Sequence, residues 1–334
     1  MHALRMMAGA TAFLAIILAL VPHVVWALCA IVARLMGRSM PYAPFGYTAL
    51  GLVTVLLLTM AYGLYIGRFR VQTTHLDYVN ADIPQQFDGY RVVHISDLHL
   101  STFADKPKKL EAMVQRINAL KPDLICFTGD LVSLNLEELH ALGPIVKALK
   151  ARDGVASVLG NHDFFIYSVR DEDKREQAVN SLAAYQTDTL GWKLLRNGSL
   201  RICRQTAEDT SAITIVGVDN VNGHDQGFRT IAKGDLDKAM QGTEGFRILL
   251  SHDPSFWEAK VVPDTDIQLT LSGHTHAAQI RLFGWTPASW MFRQTDGRYD
   301  IGNQTLYVNI GLGCTIPMRI GANAEITLIT LHSK

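Results

Sequence analysis

The chain has no acidic residue before Asp77 and no lysine before Lys106. A water-facing surface normally carries both, so the first 70 or so residues are built differently from a soluble domain. Cysteine is scarce as well. Cys29, Cys126, Cys203 and Cys314 form no Cys-x-x-Cys pair, which points away from a disulfide framework and from a thiolate-held metal. Neither charge is in excess, since 31 Lys and Arg balance 31 Asp and Glu. That balance argues against a general nucleic-acid binder.

What fills the N-terminal region is apolar. No charge occurs between Arg5 and Arg34, and from Tyr47 to Gly67 only Thr and Tyr interrupt the apolar run before Arg68 and Arg70. Each run meets the roughly 20 residues needed to cross a hydrocarbon core as a helix. We read residues 1–70 as a membrane anchor with two spans, at about 8–33 and 47–67, followed by a connector (71–89) and a catalytic domain (90–334). A cleaved signal peptide is the alternative for the first run, but the run is longer than a signal core and a second span follows. Arg34 and Arg38 lie in the hairpin, against Arg5, Arg68, Arg70 and the α-amine on the flanks. The positive-inside tendency therefore places the catalytic domain in the cytoplasm, against the inner membrane if the cell is bacterial.

Beyond residue 89 apolar strands alternate with amphipathic helices. The pattern predicts strands at 90–96, 124–128 and 155–159 with helices at 106–120 and 136–150 between them, as in parallel βαβ units. A surface helix at 168–189 follows, then short β-prone runs at 192–195, 200–203, 213–218, 247–250, 267–271, 306–309 and 326–331. Two packed sheets with helices outside accommodate this mixture.

The chemistry clusters at the strand ends. Asp97-Leu98-His99, Gly129-Asp130 and Gly160-Asn161-His162-Asp163 each begin just past a predicted strand, the edge where α/β sheets place ligands. Ser251-His252 and Gly273-His274-Thr275-His276 complete an ordered set of five blocks. Asp97, His99, Asp130, Asn161, His252, His274 and His276 make seven oxygen and imidazole ligands, which suit manganese, iron or zinc. Seven exceed the needs of one tetrahedral ion and fit two ions sharing a carboxylate, with Asp130 the natural bridge. Such a site favours a phosphate ester or pyrophosphate, attacked by a hydroxide held between the ions. On its residues alone, His162 reads as an eighth ligand or a structural loop residue. His94, inside the first strand, is a packing residue or a partner of a ligand.

These five blocks resemble those of the calcineurin-like metallophosphoesterases, over roughly residues 90–331. The resemblance implies a four-layer α/β sandwich of two mixed sheets flanked by helices. It implies that Asp97, His99 and His276 hold one ion, that Asn161, His252 and His274 hold the other, and that Asp130 joins them. It also gives His162 the role of assisting the leaving group, with Asp163 orienting it. The chain looks most like a membrane-associated branch with a Gly-His-Thr-His-Gly-Gly-Gln block, some members of which cleave lipid phosphodiesters or pyrophosphates such as UDP-2,3-diacylglucosamine. Here Ala277-Ala278 replaces the glycine pair. The expected function is thus a membrane-anchored hydrolase of a lipid or nucleotide-lipid phosphoester. The rival readings are a tethered hydrolase of soluble nucleotides and a non-catalytic, metal-stabilised membrane scaffold. Two apolar stretches near the blocks, 164–167 and 282–292, either receive acyl chains or pack under the rim.

Overall fold

The computed structural model describes residues 2–205, 210–227 and 229–334. These fall into two compact units, one reaching to Arg68 and including Ile316–Ile320, the other holding the rest.

In the first unit, α1 (His2–Leu35) and α2 (Ala43–Tyr65) are both long and apolar enough to cross a membrane. α1 continues through Pro22, and Pro44 stands in the first turn of α2, where its missing N–H costs nothing. Tyr42, at the start of α2, closes the hairpin by placing its hydroxyl 2.7 Å from His23 Nε2 in α1. The segment Ile316–Ile320 returns to α2, where the Arg319 N–H donates to the Gly63 carbonyl.

The second unit is built on two six-stranded mixed sheets. Its strands are β1 (Val71–Asn80), β2 (Tyr90–Ile95), β3 (Leu124–Phe127), β4 (Val155–Ser157), β5 (Lys193–Leu194), β6 (Gly198–Gln205), β7 (Thr210–Gly217), β8 (Arg247–Leu250), β9 (Leu269–Ser272), β10 (Gly297–Ile301), β11 (Gln304–Val308) and β12 (Ala324–Ser333). One sheet runs β1-β12-β2-β3-β4-β5 and the other β10-β11-β9-β8-β7-β6. The helices α3 (Pro107–Ala119), α4 (Glu138–Val146) and α5 (Glu172–Ala184) belong to the crossovers of the first sheet.

Alternation within strands builds the layers. In β2, Val93 and Ile95 face the helix-side core with Leu110, Met113 and Leu142, whereas Val92 joins Ile248, Leu250 and Leu271 in the core between the sheets. A third core covers the outer face of the second sheet, around Trp257, Leu249 and Val308. Buried on both faces, the parallel strands are apolar throughout, which is why they stand out in the sequence.

The connector expected at 71–89 is corrected by the structure. Val71–Asn80 forms a ten-residue edge strand, parallel to β12 from Val71 opposite Ala324 to Asn80 opposite Ser333. Its partner lies some 250 residues along the chain, and the open edge lets it keep polar residues such as Gln72, Thr73 and Asp77.

Candidate metal centre

All five motif blocks meet at one edge of the sandwich. β2, β3 and β4 are parallel neighbours, as are β8 and β9 in the facing sheet, so their C-terminal ends are adjacent. Five of the seven expected ligands leave those ends in left-handed conformations: Asp97 (φ 50°), His99 (39°), Asp130 (59°), His274 (73°) and His276 (50°). Non-glycine residues adopt this region at a cost of about 1–2 kcal/mol each. The turns bend the side chains back towards one point. Two glycines make room for them. A Cβ on Gly160 would lie 2.2 Å from Asp130 Oδ1, and one on Gly273 2.3 Å from Asp97 Oδ2.

The seven side chains form two overlapping groups. In one, His99 Nε2 and His276 Nε2 stand 3.1 Å apart, and Asp97 Oδ1 lies 3.8 Å from the first and 3.3 Å from the second. In the other, Asn161 Oδ1 lies 3.0 Å from His252 Nε2 and 2.9 Å from His274 Nδ1. Asp130 Oδ2 belongs to both, at 3.5 Å from His99 Nε2 and 3.3 Å from His252 Nε2. His162 also comes within ligand range of His99 and Asp130.

The donor set fits cations. His252 Nδ1 lies 2.6 Å from the Thr128 carbonyl, which takes its N–H and leaves Nε2 as a lone pair. His274 Nε2 faces Gln226 Oε1 at 3.2 Å, so Nδ1 also presents a lone pair. The amide N–H of Asn161 donates to the Tyr167 hydroxyl at 3.0 Å, which turns Oδ1 inward. Two ring nitrogens, an amide oxygen and a carboxylate thus converge, a set that would offer only lone pairs to a metal ion once His252 gives up its proton. Asp97 adds a buried Oδ1 that accepts no hydrogen bond, while its Oδ2 accepts the His274 N–H at 3.0 Å.

Taken by themselves, the side chains carry strong electrostatic tension. Burial pushes Asp97 up to about 6. Burial alone would raise Asp130 too, but the charges of His252 and His162 hold it well below the carboxylate range. Burial would lower His252, yet the Asp130 and Asp97 carboxylates lift it to about 10. Burial brings His274 down to about 4, keeping it neutral as a ligand must be. His94 is likewise neutral, lowered by burial to about 3. It lies 2.9 Å from Thr128 Oγ1, on the residue whose carbonyl faces His252 Nδ1.

Asp163 does not do what the resemblance implied. His162 Nδ1 lies 2.7 Å from the Ser133 carbonyl, which orients the ring in place of the expected carboxylate. Asp163 instead accepts backbone N–H groups from Asp130 (2.8 Å), Leu131 (2.9 Å), Val132 (3.2 Å) and Gly160 (3.0 Å). It clamps together the two loops that carry Asp130 and Asn161. Burial and the charge of Asp130 push its carboxyl up to about 8. All four of its partners are N–H donors, so both of its oxygens act only as acceptors.

Other residues here escaped the sequence reading. Tyr167 bonds Asn161, donates to the Arg229 carbonyl at 2.9 Å and packs its ring 4.7 Å from that of His162. Gln226 bonds both His274 and Asp253. Asp253 directly follows His252 and could have been suspected; Gln226 sits in a long loop with no motif around it. Of the apolar stretch 164–167, Phe164, Phe165 and Ile166 are buried in the helix-side core, so the packing alternative holds for them. The replaced glycine pair has a conformational cost, since Ala277 and Ala278 stand at φ 49° and 47°.

Comparison with known proteins bears on this arrangement. The sequence profile of the calcineurin-like phosphoesterases matches residues 90–278. The chain is similar to the uncharacterized metallophosphoesterase YkuE of Bacillus subtilis, 32% identical over 81% of this chain and 89% of that one. It is also similar to a zebrafish transmembrane protein with a metallophosphoesterase domain, at 31% identity over 86% of this chain and 63% of the relative. The UDP-2,3-diacylglucosamine pyrophosphatase LpxG of Chlamydia trachomatis is 26% identical, over 86% of this chain and 98% of its own length.

Proposed function

Because the chain belongs to the calcineurin-like phosphoesterase family and is a phosphoester hydrolase, we propose that it cleaves a phosphodiester or pyrophosphate bond in a membrane lipid at a centre for two divalent cations. The observation that carries the reading is Asp130 Oδ2 lying between His99 and His252, where one carboxylate oxygen serves two groups of ligands. In this assignment Asp97, His99 and His276 hold one cation, Asn161, His252 and His274 the other, and Asp130 joins them. When bound, the pair supplies an activated water and neutralises charge on the phosphoryl oxygens.

The rest of the work falls to the protein. With its Nδ1 proton held by Ser133, His162 has Nε2 left to carry a proton to the departing oxygen. Asp163 fixes the loops, Tyr167 the Asn161 amide and Gln226 the His274 ring. The lipid reading is supported by the two apolar helices and by the similarity to a relative named for a lipid-sugar pyrophosphatase. The arginine distribution supports a cytoplasmic position for the domain.

The test uses the full chain in detergent micelles, loaded with manganese, against UDP-2,3-diacylglucosamine, phospholipids and cyclic nucleotides. Turnover of a lipid is expected, and His162→Ala should lower it by about 100-fold or more with metal content unchanged. Turnover confined to soluble nucleotides would reject the lipid substrate. Loss of metal in His162→Ala would refute its role as proton carrier.

A further inference from the structure

Between Arg281 and Arg293 run eleven residues without a charge, Leu282-Phe283-Gly284-Trp285-Thr286-Pro287-Ala288-Ser289-Trp290-Met291-Phe292. A soluble domain would fold such a stretch inward. Here the largest side chains point out, with Phe283 wholly exposed, Trp290 78% exposed, and Leu282, Trp285 and Met291 each more than 40% exposed.

The exposure is built into a fixed shape. Leu282 and Trp285 exchange both backbone hydrogen bonds, at 2.9 and 3.0 Å, around Phe283 (φ 51°) and Gly284 (φ 84°). This is a two-residue hairpin turn, and it holds a bulky aromatic in the left-handed region at its tip. The Trp285 and Trp290 rings meet edge to face, 5.3 Å apart. The loop is tied to the metal centre at its middle and at its C-terminal end. Thr286 donates its hydroxyl to the carbonyl of Ala277, next to His276. Phe292 turns back inside and packs its ring 5.5 Å from that of His274.

We propose that residues 282–291 form a wedge that enters the lipid bilayer, with Phe283 deepest and the two tryptophans at the headgroup level. The occupant is inferred from three features. The same chain carries two helices apolar enough to cross a membrane, and only residues 66–70 separate α2 from β1. Paired tryptophans beside aliphatic side chains, with no acid among them, are the composition of a membrane interface; of the flanking arginines, Arg281 is ion-paired with Asp296. Arg293 is paired with Glu258 yet stays 83% exposed, placed to meet anionic headgroups. This wedge deepens the lipid reading above, because it ties the two metal-centre histidines His274 and His276 to the surface where such a substrate lies.

The test is electron paramagnetic resonance on the full chain reconstituted in vesicles of phosphatidylethanolamine and phosphatidylglycerol. In a Cys29→Ser, Cys203→Ser background, nitroxides are attached through Phe283→Cys, Trp290→Cys or, as a control on exposed α5, Glu172→Cys. The label at 283 should be more accessible to oxygen than to a water-soluble nickel chelate, at a depth of about 5–10 Å. The label at 290 should lie shallower and that at 172 in water. Equal nickel accessibility at 283 and 172 would overturn the proposal. So would spin–spin broadening at 283 that disappears on dilution with unlabelled chain, which would give the patch to a second copy. No readout depends on turnover, so a chain that inserts without hydrolysing lipid would sink the substrate assignment and leave the wedge standing.

Discussion

Asp130→Ala is expected to lower kcat/KM on an activated aryl phosphodiester by at least about a thousand-fold, equivalent to about 4 kcal/mol of transition-state stabilisation. No other side chain in the centre does as much. Its Oδ2 stands 3.5 Å from His99 Nε2 and 3.3 Å from His252 Nε2, and its Oδ1 accepts the His162 N–H at 2.8 Å. Under the proposed assignment, alanine would remove the shared ligand and the acceptor of the His162 backbone N–H together. It would also remove the negative charge that offsets repulsion between the two dications. Asp130→Asn separates the effects: its carbonyl can keep the bond to His162, whereas the charge is gone. That variant should lose metal and most activity while His162 stays in place. An alanine variant within tenfold of the parent would show that Asp130 is not shared between two cations.

The second large effect is on stability. Asp163→Asn in the metal-loaded protein should cost about 3 kcal/mol, read as a lowered urea or thermal midpoint of the full chain in detergent. Asp163 is fully buried, and each of its oxygens accepts two backbone N–H groups. An amide presents N–H₂ where one oxygen stood, so two peptide N–H groups face a donor in a site closed to water. Each buried donor left without an acceptor costs about 1–3 kcal/mol. Because the clamped loops carry Asp130 and Asn161, metal affinity should fall as well. An unchanged midpoint would mean that the clamp contributes nothing.

This role of Asp163 marks where sequence reading stops. Its neighbour in the chain is His162, and adjacency suggested that one orients the other. The short helical turn at 162–164 sends the two side chains in different directions, and three of the four donors that fill Asp163 come from a loop some 30 residues earlier. The five motif blocks stood out because each is a compact polar motif following an apolar strand that is buried on both faces. β1 was not, since an open sheet edge tolerates the polar run from Gln72 to Thr74 and the strand's partner lies near the chain's other end. β10 (Gly297–Ile301) escaped for the same reason, as a largely polar edge strand of the second sheet. Gln226 and Tyr167 become visible only after folding brings them to His274 and Asn161. The apolar stretches near the site looked alike in sequence. Burial separated them, turning 164–166 into core and the large side chains of 282–285 and 290–291 outward.

The most direct measurement of the central claim is the metal content of the full chain, purified without chelator, dialysed and analysed by mass spectrometry after loading with manganese, iron or zinc. Asp130 shared between two sets of histidines predicts two divalent ions per chain, falling to one or none in Asp130→Ala. A chain that retains no divalent ion after any of the three loadings would contradict it.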